Sequence, residues 1–158
     1  MSLDPEFEPI FKKWGSENTV YAFLKREFDR INRDAFGGSL EMPELKIKPM
    51  EQNAAGNYVP ADRHRPAVIG ILANVLIDEE TARRALAHYM THHWENTLAT
   101  SWESEDYPAS IDQEISKNFS TGYRERQWRS FHSRRFISKA CDVANSLAMT
   151  VLKLLFEG

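Results

Sequence analysis

The stretch Leu86-Ala87-His88-Tyr89-Met90-Thr91-His92-His93-Trp94-Glu95 decides how this chain is read. His88 and His92 stand four positions apart, and a helix completes a turn in about 3.6 residues, so both imidazoles leave one face and can reach a common ion. His93 lies about 100° round the helix from His92 and falls outside that pair. Glu95, one turn after His92, shares their face. Asp78 is placed to cap this helix, Glu79 and Glu80 suit its positive end, and the helix is predicted from Asp78 to Leu98. Taken alone an HxxxH pair is a weak motif, because histidines at the edge of a core give the same pattern. The surroundings of the pair carry the reading.

Working outward, Val20, Leu24, Phe28 and Ile31 recur at spacings of three and four, predicting an amphipathic helix over Asn18 to Phe36 with Asn18 and Thr19 as caps and Gly37-Gly38 as its stop. Leu45 and Ile47 alternate with Lys46 and Lys48, as in a half-exposed strand, and a second short strand fits Asn57 to Val59. The run Ala67 to Leu72 is apolar on both faces and rich in branched residues, which predicts a buried strand. It reads as the strand nearest the histidines, able to pair with an extended peptide. From Thr100 to Gln113 periodicity fades into a loop or insertion, followed by a short helix around Ile111 to Phe119. Beyond it, Phe136, Ala140, Ala144, Leu147, Val151 and Leu155 form one stripe, predicting a single long helix from Ser133 to Phe156.

The 158 residues, 42% hydrophobic and 27% charged, suit one ordered domain with a core of its own. Residues 1–15 read as a lead-in with the look of a tag scar, and 16–158 as the domain, with the insertion at about 100–130. Cys141 is the single cysteine, so no internal disulfide forms, and a reducing, cytoplasmic setting is expected. No apolar run approaches the roughly 20 residues of a membrane span. Trp94 and Trp102 read as packing residues, and His64, in a turn-like stretch, as a surface residue.

Phe36-Gly37-Gly38-Ser39-Leu40 with Pro43, then the strands, the HxxxH helix and finally His132-Ser133-Arg134-Arg135-Phe136 follow an order that resembles the SprT-like zincins, the group that includes the Spartan proteases. The resemblance runs from about Val20 to Leu147 and rests on the Phe-Gly-Gly, HxxxH and HxxxF segments. It implies an α+β, zincin-like fold: a small β-sheet, a metal-binding helix, and packed N- and C-terminal helices. It also implies His132 as a third metal ligand beside His88 and His92. Zn2+ is the expected cofactor, since three imidazoles and an open position suit a tetrahedral site.

The chain departs from the family at Tyr89, where the family's HExxH motif has its glutamate. That carboxylate would take a proton from a metal-bound water, whereas a phenol with an ordinary pKa of about 10 is a donor at neutral pH. Three readings stand. The protein is a pseudoenzyme that keeps the fold and the metal; or another carboxylate, Glu95 or one of Glu103, Glu105, Asp106, Asp112 and Glu114, acts as base; or the histidines are structural. Tyr89 itself can hydrogen-bond an oxyanion or bind the metal. An active form would be a zinc-dependent metallopeptidase acting on protein or peptide.

The net charge of −3 is unevenly spread. Arg124, Arg126, Arg129, Arg134 and Arg135 interleave with Tyr123, Trp128 and Phe131, a composition suited to phosphate contact and base stacking. DNA is therefore a candidate partner, and the alternative function is a non-catalytic DNA- or protein-binding module. The same arginines also suit ion pairing with the acidic insertion.

Overall fold

The computed structural model describes residues 7–51, 54–100 and 102–156. Helix α1 (Glu8–Trp14) precedes α2 (Glu17–Phe36). Phe11 of α1 is buried, and the Trp14 indole N–H donates to the Leu76 carbonyl at 2.8 Å. The segment expected to be a lead-in therefore packs on the domain from residue 8 onward; residues 1–6 lie outside the described part. Ser16, rather than Asn18 or Thr19, caps α2, its hydroxyl accepting from the Thr19 N–H at 3.1 Å. The helix stops where Gly37 and Gly38 take positive φ angles of 63° and 76°, a conformation that a Cβ disfavours.

Strands β1 (Glu44–Lys48), β2 (Gly56–Val59) and β3 (Val68–Leu72) form a mixed sheet in the order β1-β3-β2. β1 runs parallel to β3 and β2 antiparallel to it. Every residue of β3 is buried, as its two-faced apolar run requires. Its central place corrects one expectation: β3 has neighbours on both sides and no edge to offer a peptide, whereas β2 is an outer strand.

Helix α3 (Glu79–Thr97) carries the HxxxH pair, and the Asp78 carboxylate caps it by accepting from the Thr81 N–H at 2.7 Å. It packs against β2, β3 and α2. The insertion contains α4 (Ala109–Lys117) and α5 (Gly122–Phe131), and Ile115 reaches the core with no exposed surface. α6 (Arg134–Ser146) and α7 (Val151–Leu155) then close over α3. The single long C-terminal helix expected from the apolar stripe is thus two helices, broken where Ala148 adopts a φ of 56°. Phe28, Ile31, Ile69, Ile71, Leu86, Met90, Phe136 and Leu154 belong to one continuous core. Trp94 is buried within it, but Trp102 is 83% exposed and packs nothing of consequence. Among the described residues no helix is long and apolar enough to cross a membrane.

Candidate metal centre

Two elements bring His88, His92 and His132 together. The first two stand one turn apart on α3, and His132 is the residue that ends α5. Ring centroids are 4.9 Å apart for His88 and His92, 5.3 Å for His88 and His132, and 5.1 Å for His92 and His132, a nearly equilateral triangle. One ligating nitrogen from each lies within 4.8 Å of the others. Phe136, fully buried, forms the floor: its ring stacks on His92 at 4.2 Å and meets His88 at 5.1 Å and His132 at 5.0 Å.

Main-chain carbonyls orient two of the rings. His88 Nδ1 is 3.1 Å from the Leu154 carbonyl, and His132 Nδ1 is 2.8 Å from the Trp128 carbonyl. A carbonyl only accepts, so each Nδ1 carries a proton, which leaves each Nε2 as the nitrogen available for an ion. Helix ends explain why these carbonyls are available. Leu154 lies in the last turn of α7, and Trp128 in that of α5, where carbonyls lack intrahelical partners. His132 donates its own main-chain N–H to Arg129 instead, and its side chain takes the Trp128 carbonyl.

The two Nε2 atoms of His88 and His132 are 3.4 Å apart. Nitrogens at about 2.0–2.1 Å from a zinc ion in a tetrahedron are separated by about 3.3–3.4 Å, so the pair fits one tetrahedral edge. Burial pushes the His92 imidazole down to about 2, with His88 and His132 adding repulsion, so this ring stays neutral as a ligand must. Three converging imidazoles, two of them oriented by outer hydrogen bonds, are a donor set that suits zinc.

His93, set aside on geometric grounds, is buried and engaged at both nitrogens. Nε2–H donates to the Glu41 carbonyl at 2.9 Å, and Nδ1 accepts from the Tyr58 hydroxyl at 2.9 Å. His64 is exposed.

A cleft of about 430 Å³ opens on the site, lined by Tyr89, His132, Trp128, Arg124, Phe156, and by Ala54 and Ala55 leading into Gly56, the first residue of β2. Tyr89 is 8% exposed, and its ring lies so close to the outer strand that a Cβ on Gly56 would come within 2.9 Å of it. Tyr89 therefore sits at the site, where sequence reasoning placed it. Glu95 does not line the cleft. It accepts a short hydrogen bond from the Ser133 hydroxyl, and Ser133 in turn caps α6 by accepting from the Phe136 N–H at 3.0 Å. Glu95 thus steadies the junction that carries His132.

Three of the other five acidic candidates are held within the insertion or its neighbours, while Glu103 and Asp106 are exposed and do not line the cleft. Asp112 pairs with Arg129 at 2.6 Å, Glu105 with Arg135 at 3.4 Å and Glu114 with Lys117 at 3.7 Å. Partial burial raises the Asp112 carboxyl, but hydrogen bonds from Arg129 and Tyr107 leave it below the usual range. Arg129 also bonds Glu125 at 3.0 Å, and Arg134 lies over the Tyr107 ring at 4.5 Å. Three of the five arginines proposed for DNA are thereby engaged inside the molecule. Sequence reasoning missed the carbonyls of Leu154 and Trp128, which no side chain advertises. It also missed the stacking of Trp128 on His132 at 4.2 Å, whose four-residue spacing was a usable signal.

No protein-family model matches the chain, and searches of curated proteins and of solved structures give no match either.

Proposed function

We propose that the chain is a zinc-binding protein of the SprT-like zincin kind that holds peptide beside its metal and lacks the base for rapid hydrolysis. The observation that carries this reading is the convergence of three imidazoles, two of them aimed by main-chain carbonyls. His88, His92 and His132 would hold the ion, which when bound supplies a Lewis acid for a carbonyl oxygen or a water. β2 is an outer strand and meets the cleft at Gly56, so an extended peptide lying in the cleft would run beside it. None of the described residues lining the cleft is a carboxylate. Tyr89 stands there as a hydrogen-bond donor and cannot take a proton at neutral pH.

Metal analysis of the purified protein tests the centre. About one equivalent of zinc is expected for the parent and none for His88→Ala or His132→Ala; equal metal content in all three removes the site. Turnover needs its own measurement, with casein as the unfolded substrate. The parent is expected to be inactive and Tyr89→Glu to gain chelator-sensitive cleavage, because losing a general base typically costs about 10²-fold to 10⁴-fold. Vigorous chelator-sensitive cleavage by the parent defeats the pseudoenzyme reading.

A further inference from the structure

Arg124, Trp128 and His132 recur every four residues along α5 and its end, so they form a ladder down one side, and all three line the cleft beside Tyr89. The Trp128 ring lies on that of His132, and Phe156 stacks on Trp128 at 5.2 Å. The cleft therefore runs from a guanidinium, along an aromatic wall, to the histidine triangle.

Arg129 and Arg135 are matched with acids, whereas Arg124 and Arg126 are exposed and, among the described residues, have no ion pair; of these two only Arg124 lines the cleft. It also stands in the first turn of α5, where Thr121 caps the helix and the amide N–H groups already carry partial positive charge. A cation there is mildly unfavourable, and an anion beside it would relieve that. Among the described residues no acid lines the cleft, so an anionic ligand would meet no competing carboxylate. From Arg124 to His132 the helix rises about 12 Å at 1.5 Å per residue, and an arginine side chain reaches over part of that distance. An extended peptide covers the remainder in two or three residues at about 3.3–3.6 Å each.

We propose that the cleft receives a free peptide C-terminus. Arg124 takes the terminal carboxylate through a bidentate pair, the Trp128 and Phe156 rings take the last apolar side chain, and the preceding backbone reaches the histidines. This rests on the peptide-binding reading of the cleft and names its ligand class.

Calorimetric titration of the full chain with N-acetyl-Gly-Phe and with its C-terminal amide tests the assignment, in zinc and again after chelation. The acid is expected to bind at least about tenfold tighter than the amide in both states, since an arginine–carboxylate pair supplies the difference. Arg124→Gln should abolish that preference. Arg124→Lys, which keeps charge but not the fork, should retain part of it, and Arg126→Gln, outside the cleft, all of it. Equal or undetectable binding of acid and amide, a preference surviving in Arg124→Gln, or displacement of the peptide by equimolar inorganic phosphate overturns the proposal. Zinc content measured on the same samples separates the two readings. Acid preference without zinc counts against the metal centre alone, and zinc without acid preference counts against the carboxylate site alone.

Discussion

His88 and His93 are both buried on α3, yet the two faces they serve have opposite chemistry. His93, toward β2 and the loop before β1, has both ring nitrogens satisfied by the chain itself, through Tyr58 and Glu41. His88, toward α6 and α7, gives one nitrogen to the Leu154 carbonyl and turns the other toward His132. Burial therefore does not separate a structural histidine from a ligand. The separation lies in what each second nitrogen faces.

The sharpest challenge to that contrast is His93→Ala. It leaves the Tyr58 hydroxyl and the Glu41 carbonyl without their partner, at about 1–3 kcal/mol each. Urea unfolding should show a loss of about 2–6 kcal/mol while zinc content stays at its parental level. Lost zinc with unchanged stability would reverse the roles assigned to the two faces.

Acid offers the next largest effect. The folded-state pKa of His92 is depressed from 6.5 to about 2, first by burial and then by repulsion from His88 and His132. The unfolded chain takes up this proton first, so the associated stability is complete above about 6.5 and falls as pH drops toward 2. Metal-free protein should lose at most about 1.4 kcal/mol per pH unit in that window. Equal urea midpoints at pH 7.5 and 5.5 would show that the ring is not held neutral.

Ser133→Ala removes both a helix cap and the tether from Glu95. A loss of about 1 kcal/mol is expected, together with about tenfold weaker zinc binding through a looser His132. An unchanged zinc affinity would show that the junction does not aim the ring. Ala148→Gly should have the smallest effect. Relief of the left-handed conformation, about 1–2 kcal/mol, is offset by glycine's added freedom in the unfolded chain, leaving a gain below about 1 kcal/mol in thermal unfolding. A destabilised variant would contradict the backbone assigned to the break.

Much of this organisation was legible in the residues. The periodicity of Val20 to Ile31, the two-faced run of β3 and the Asp78 cap located α2, β3 and α3; the histidine spacing located the pair on α3, and His132 was expected only from the family resemblance of its HxxxF segment. Elsewhere the signal was missed or weak. Phe7, Ile10, Phe11 and Trp14 stand at helical spacing, so α1 was readable and was passed over. α5 buries no residue fully and so has no clean apolar stripe. The break before α7 has neither glycine nor proline to mark it, and the stripe from Phe136 to Leu155 continues across it in sequence. Ile69 and Ile71 reveal burial but not strand order, which is why the outer strand was misassigned.

That break has a consequence for how the parts of the molecule depend on one another. By folding α7 back, it brings a carbonyl from residue 154 to the ring of residue 88. Thermodynamic reciprocity then applies: any change that seats α7 more firmly raises the affinity at the histidines, and an ion at the histidines seats α7 by the same factor. Amide hydrogen exchange in five residues remote in sequence from α3 becomes a gauge of whether the triangle is filled.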